Sequence, residues 1–180
     1  MKMPHTARTR TALTRTALTL AVLLPLTLIA ADDHEAENLL TEPGDPANWT
    51  LELHGEADAQ LTQTDDDELH LTVTEPGEEA WHVQIYQGEL DLTDGTEYVV
   101  TFDAKADKAQ DIVVSASQQD DPWEPVGLWS EVEVGQAYEE HELTFTAEQT
   151  MDGRNRVPVI AAGLAEGEYW FKNLKVVEAE

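Results

Sequence analysis

AWHVQIYQ, residues 80–87, is the stretch on which the reading of this chain turns. Taken as a β-strand, its side chains alternate between two faces. Trp81, Val83 and Ile85 then share an apolar face suited to a core. The other face carries His82, Gln84 and Tyr86, three large neutral side chains that all form hydrogen bonds. In a chain this rich in Asp and Glu, an ordinary wet face is expected to hold acids or threonine. The neutral trio therefore needs a reason.

The same period of two runs outward in both directions. WTLEL (49–53), ADAQLTQ (57–63) and ELHLTV (68–73) precede the stretch. YVVTFDAKA (98–106), DIVVSASQ (111–118), YEEHELTFT (138–146), VPVIAAG (157–163) and YWFKNLKVV (169–177) follow it. Turn chemistry separates them: EPGDP at 42–46, DDD at 65–67, EPG at 75–77, DG at 94–95, DDPWEP at 120–125 and DG at 152–153. No segment sustains a 3.6-residue period, so almost no helix is expected. Nine short strands at this spacing predict an all-β protein, an antiparallel β-sandwich jelly roll. Phase assigns Leu51, Leu53, Leu69, Leu71, Val83, Ile85, Phe102, Leu143, Val157, Val159 and Phe171, among others, to the core.

The N-terminal segment is built differently. Lys2, Arg8, Arg10 and Arg15 are followed by the apolar run ALTLAVLLPLTLIA (17–30) and small residues. This predicts a secretory signal peptide over 1–31 and a secreted, periplasmic or extracellular product. The run contains Pro25 and is short for a bilayer span of about 20 apolar residues. Residues 32–37, DDHEAE, read as a short disordered leader, and 38–178 as one domain. After residue 31 the chain holds 37 acids against six cations, a net charge of −31. Nucleic acid is excluded as a partner, since it demands phosphate neutralisation by Lys and Arg. Anionic membranes and anionic polysaccharides are disfavoured for the same reason. A neutral partner is easiest to accommodate, and the charge suits a saline medium. With no cysteine, the domain rests on its core and not on disulfides.

Several motifs in order resemble a known family. They are Asn38-Leu39-Leu40, Trp49, Trp81-His82-Val83-Gln84, Gly95, the run Tyr98 to Ala106 with Phe102 and Lys105, Gly163, and Phe171-Lys172-Asn173-Leu174. The pattern is similar to carbohydrate-binding modules of the family 4, 9 and 22 type, over about 38–178. The resemblance implies a galactose-binding-like jelly roll with one concave sheet that holds a glycan. It implies flanking aromatics at Trp81 and Trp123, a polar partner at Gln84, and a further candidate at Gln118 beside the 120–129 loop. Many relatives hold a structural Ca²⁺ with an Asp where this chain has Lys172. An adjacent ammonium repels a cation that needs six to eight oxygens, so that calcium is doubtful here.

Sugar chemistry accounts for the neutral trio. A sugar ring has apolar C–H faces and a rim of hydroxyls that donate and accept. Flat aromatics serve the faces, while Gln, His and Tyr serve the rim in both senses. Carboxylates only accept and are costly to desolvate. Trp81, His82, Gln84, Tyr86, Gln118 and Trp123 are therefore the candidate binding residues, and packing remains the bland reading for Trp81. Trp129 fits cleft or core equally. Trp49 and Trp170 read as packing, and Arg154 and Arg156 as neutralising nearby acids. There is no G-x-S-x-G, no H-E-x-x-H and no Cys nucleophile. The leading expectation is a monomeric, non-catalytic module that binds a neutral glycan such as a β-glucan or xylan. It would act beside a glycoside hydrolase or a cell-surface partner. An envelope structural sandwich without sugar binding, and a small hydrolase or lyase, stay open as alternatives.

Overall fold

The computed structural model describes residues 36–179. The expected signal segment 1–31 and residues 32–35 of the leader lie outside the described residues. Ten strands form: β1 Thr50–Leu53, β2 Asp58–Gln63, β3 Leu69–Glu75, β4 Val83–Tyr86, β5 Glu97–Ala106, β6 Gln110–Gln118, β7 Pro125–Val134, β8 Glu139–Thr146, β9 Asn155–Ala161 and β10 Gly167–Glu178. They make two five-stranded antiparallel sheets, in the orders β1-β4-β9-β6-β7 and β2-β3-β10-β5-β8. The only helical pieces among the described residues are single 3-10 turns at Pro46–Asn48 and Ala80–His82.

Alternation builds the core between the sheets. On β5 the side chains of Tyr98, Val100, Phe102, Ala104 and Ala106 are buried, and their neighbours are not. β10, beside β5 in the same sheet, adds Tyr169, Phe171, Leu174 and Val176 to that face. Those four change parity midway because the pairing shifts between Lys172 and Lys175, with Asn173 at a left-handed φ of 52°. A bulge of this kind takes up one residue and resets which side chains point inward. The first sheet contributes Val83, Ile85, Ile112, Val114, Val157 and Ile160 from its inner face.

Two carboxamides tie down the start of the domain. The Asn38 carboxamide oxygen accepts from the Val176 and Leu40 N–H groups, and its NH₂ donates to the Leu174 carbonyl. Gln87 exchanges a pair of 2.9 Å hydrogen bonds with the Thr41 backbone. Each amide does the work of a missing ladder bond at the chain's entry to the fold. Asp45 caps the Pro46–Asn48 turn through the Ala47 N–H.

The jelly-roll expectation is met, with four local corrections. β7 was not expected. Its Val126, Leu128, Val132 and Val134 are buried, but Ser130 interrupts their apolar alternation and Trp129 adds an apolar residue to the outward phase. Leu53 is 39 % exposed, because it is the last residue of an edge strand. Leu51 and Leu143 only pack against the core as half-buried side chains. Val159 is buried, but on the outer face of its sheet, away from the core between the sheets.

Candidate functional site

The outer face of the first sheet is hollow because its central strands carry small residues there. β6 presents Val113, Ser115 and Ser117, while Ile112, Val114 and Ala116 of the same strand are buried in the core. β9 presents Arg156, Val159 and Ala161. Arg156 and Val159 could not share a face in a regular strand, being three residues apart. Register explains it: Ser115 lies opposite Val159 and Ser117 opposite Arg156, so β9 has one residue more than β6 between them. The extra residue falls at Val157-Pro158, where a proline is tolerated because the ladder is already interrupted.

Aromatic side chains rise on both sides of this floor. Trp81 stands on one side, 46 % exposed. Residues 80–82 form a 3-10 turn, so the phase that grouped Trp81 with Val83 and Ile85 does not extend to it. Trp123 and Trp129 stand on the other side, 54 % and 67 % exposed. Trp123 is held at a left-handed φ of 54° by the tight loop between β6 and β7. There its N–H donates to the Asp120 carbonyl, Gln118 N–H donates to Glu124, and Asp120 is paired with Arg154. A bulky residue in that conformation costs on the order of 1–3 kcal/mol, so the surrounding bonds must hold it. Gly127 lets β7 pass close to β8, since a Cβ there would meet the Thr146 carbonyl oxygen at 2.1 Å.

The cleft has an apolar end and a charged end. Trp129, Pro125, Val113 and Ala161 line the first, and Glu52 and His54 line the second. Trp81, Gln84, Trp123 and Arg156 line both and join them. Gln84, on β4, is 5 % exposed, with its strand partner Glu52 beside it on β1. Arg156 is 9 % exposed and held from three sides. Its Nε donates to Ser117 Oγ at 2.8 Å, its Nη1 donates to Glu52 at 3.1 Å, and its guanidinium lies 4.9 Å from the Tyr86 ring centre. The other Glu52 oxygen is 2.8 Å from His54 Nε2, and the His54 ring meets Trp81 edge-on at 4.8 Å.

Of the residues singled out from sequence, Trp81, Gln84 and Trp123 come together in the cleft. Tyr86 lies on the Gln84 face but supports Arg156 from the side. His82 is a correction: belonging to the turn and not to β4, it packs against Gly77 and Gly55, and its Nδ1 accepts from the Glu78 N–H. It lines a separate hollow with Pro76 and Glu78. Gln118 is a second correction: its NH₂ is engaged by the Gln149 carbonyl at 2.7 Å, and it does not line the cleft. Glu52, His54, Ser115, Ser117 and Arg156 were not foreseen there. The rarity of cations after residue 31 is the sequence signal that singles out Arg156.

The position tied to calcium does not fit a divalent cation. Lys172 Nζ lies 3.5 Å from Glu68 and 3.8 Å from the Tyr138 ring centre, so an ammonium already occupies that neighbourhood. Among the described residues, no group of three or more His, Asp or Glu is arranged to hold a metal ion.

The cleft sets indole faces, a carboxamide, hydroxyls and one fixed guanidinium side by side. The sequence profile of CBM_4_9, described as carbohydrate binding domain, matches residues 34–159. No curated protein matches the sequence. Among solved structures, a CBM4 domain superposes with a TM-score of 0.65 at 23 % identity, covering 79 % of this chain and 95 % of that one. The N-terminal cellulose-binding domain of Cellulomonas fimi β-1,4-glucanase C gives 0.57 at 16 % identity, covering 78 % and 94 %. The CBM22-1 xylan-binding domain from Paenibacillus barcinonensis Xyn10C gives 0.54 at 13 %, covering 81 % and 96 %. Likeness at these identities shows the shared sandwich.

Proposed function

Since this chain belongs to the CBM_4_9 family of carbohydrate binding domains, we propose that it is an exported, non-catalytic module that binds a neutral polysaccharide in the cleft between Trp81 and Trp123. One observation carries this reading. Three exposed indoles, Trp81, Trp123 and Trp129, border a floor of Ser, Ala and Val that leaves room for a flat ring. Exposed tryptophan is costly unless it meets a partner, and a sugar's C–H face is such a partner. Gln84 and Arg156 supply rim contacts from the floor. Export is supported by the basic-then-apolar segment at 1–31. The module then works by proximity, keeping a glycoside hydrolase or a cell surface near its glycan.

Cellulose and xylan name the ligands of two structural relatives, and their soluble forms are the first probes. Affinity gel electrophoresis of residues 32–180 in hydroxyethylcellulose, mixed-linkage β-glucan and xylan is expected to retard the protein in at least one of them. Isothermal titration is expected to give a Kd on the order of 10⁻³ to 10⁻⁵ M, as suits an open groove. Retardation that survives Trp81→Ala combined with Trp123→Ala would move the site elsewhere. No retardation in any glycan gel would favour an envelope sandwich that does not bind sugar.

A further inference from the structure

Glu52 does more than complete an ion pair: we infer that it is the residue by which the cleft refuses acidic glycans. The inference rests on the proposed site and goes on to its specificity. A lone arginine in the floor of a sugar cleft is a carboxylate receptor, because its planar fork matches two carboxylate oxygens. Uronic acids and pyruvylated sugars carry that group. Arg156 is such an arginine in position, lining both ends of the cleft and nine-tenths buried. It is not one in charge. Glu52 approaches Nη1 at 3.1 Å, and Ser117 takes Nε at 2.8 Å. Two donor positions of the fork are thus filled by the protein, and the pair has no net charge.

The placement of Glu52 strengthens the case. Glu52 is the β1 partner of Gln84, so the carboxylate sits beside the carboxamide that serves the ligand. It also lines the charged end of the cleft, where its second oxygen is held by His54 at 2.8 Å. Both oxygens are thereby fixed, and the carboxylate cannot swing out to make room for a ligand's own. An incoming uronate would meet a like charge held in place, in a part-buried setting where repulsion is weakly screened. A neutral ring meets the remaining guanidinium donors already oriented by the Tyr86 stack. Rejection is built by the adjacent charge, while attraction comes from the donors.

The test compares xylan fragments of one backbone length, unsubstituted or bearing a single glucuronate, together with sodium glucuronate itself. Binding is followed by calorimetry and by tryptophan fluorescence, which reports on Trp81 and Trp123. The unaltered protein is expected to favour the unsubstituted fragment. Glu52→Gln keeps the shape and a hydrogen-bond acceptor but removes the charge. It is expected to shift the ratio of acidic to neutral affinity about tenfold toward the acid at low salt, with the shift shrinking at 1 M NaCl. Adding Arg156→Gln is expected to abolish the gain, with folding of each variant checked by circular dichroism. An unchanged ratio in Glu52→Gln overturns the inference while leaving the glycan site standing. So does a preference of the unaltered protein for the glucuronate-bearing fragment. If neither protein binds any probe, the site reading fails and the inference falls with it.

Discussion

Trp123 and Trp129 show how much a single side chain can do without helping the fold. Each is more than half exposed and borders the cleft. Alanine at either is expected to weaken glycan binding by about 1 kcal/mol or more, through loss of a stacking face. Melting temperature is expected to stay within about two degrees, because surface side chains outside the core rarely change stability by more than about 0.5 kcal/mol. Calorimetric titration and thermal melts of both variants check this. Tyr169 is the opposite case. It is fully buried, its hydroxyl has no hydrogen-bond partner among the described residues, and burial together with the nearby Asp107 charge pushes its pKa up to about 12. The folded state therefore favours the neutral phenol. That contribution is complete below pH 10, the ordinary tyrosine value, and is lost as pH rises through about 12. Urea midpoints are expected to fall between pH 10 and 12, and Tyr169→Phe is expected to flatten that fall. At pH 7 the same variant is expected to be as stable as the parent or slightly more so, since it removes an unsatisfied buried group.

The end of β9 shows a division of labour between neighbours. Ala161, the last residue of the strand, faces the cleft, and Ala162, just beyond it, faces the core. Leucine at each is the matched test. Ala161→Leu is expected to fill the cleft floor and lower glycan affinity at least tenfold while the melting temperature barely moves. Ala162→Leu is expected to cost about 1–3 kcal/mol of stability from overpacking, with affinity changed less. Equal effects of the two on stability would show that the outer face is as tightly packed as the inner one. The same strand explains why Arg156 escaped the reading of the sequence as a cleft residue. Strict alternation places it opposite Val159, and only the paired register with β6 reveals the extra residue that brings them together. Trp81 was ambiguous for a related reason. Its face depends on whether residues 80–82 extend β4 or turn before it, and an apolar run of that length permits both.

At the scale of the whole molecule, charge dominates. With a net of −31 after residue 31, the folded domain repels itself, and salt relieves that repulsion. Its melting temperature is expected to rise by several degrees between 10 mM and 1 M NaCl, as a series of scans at fixed pH would show. Loss of stability with salt would mean that pairs such as Arg154–Asp120 and Arg156–Glu52 outweigh the repulsion. The sequence by itself determined the fold class and nearly all the strands. Period-two patterning and composition are local or additive properties, and they survive without knowledge of which strands are neighbours. It also pointed to Trp81, Gln84 and Trp123, whose residue types suit a sugar. Only the tertiary structure decided which residues share the cleft. Glu52 on β1, Gln84 on β4, Ser117 on β6 and Arg156 on β9 come from four strands far apart in the chain. Their meeting depends on the sheet order β1-β4-β9-β6 and on one bulge in β9. Strand order and register are set by packing between distant segments, and that packing leaves no periodic trace along any one of them.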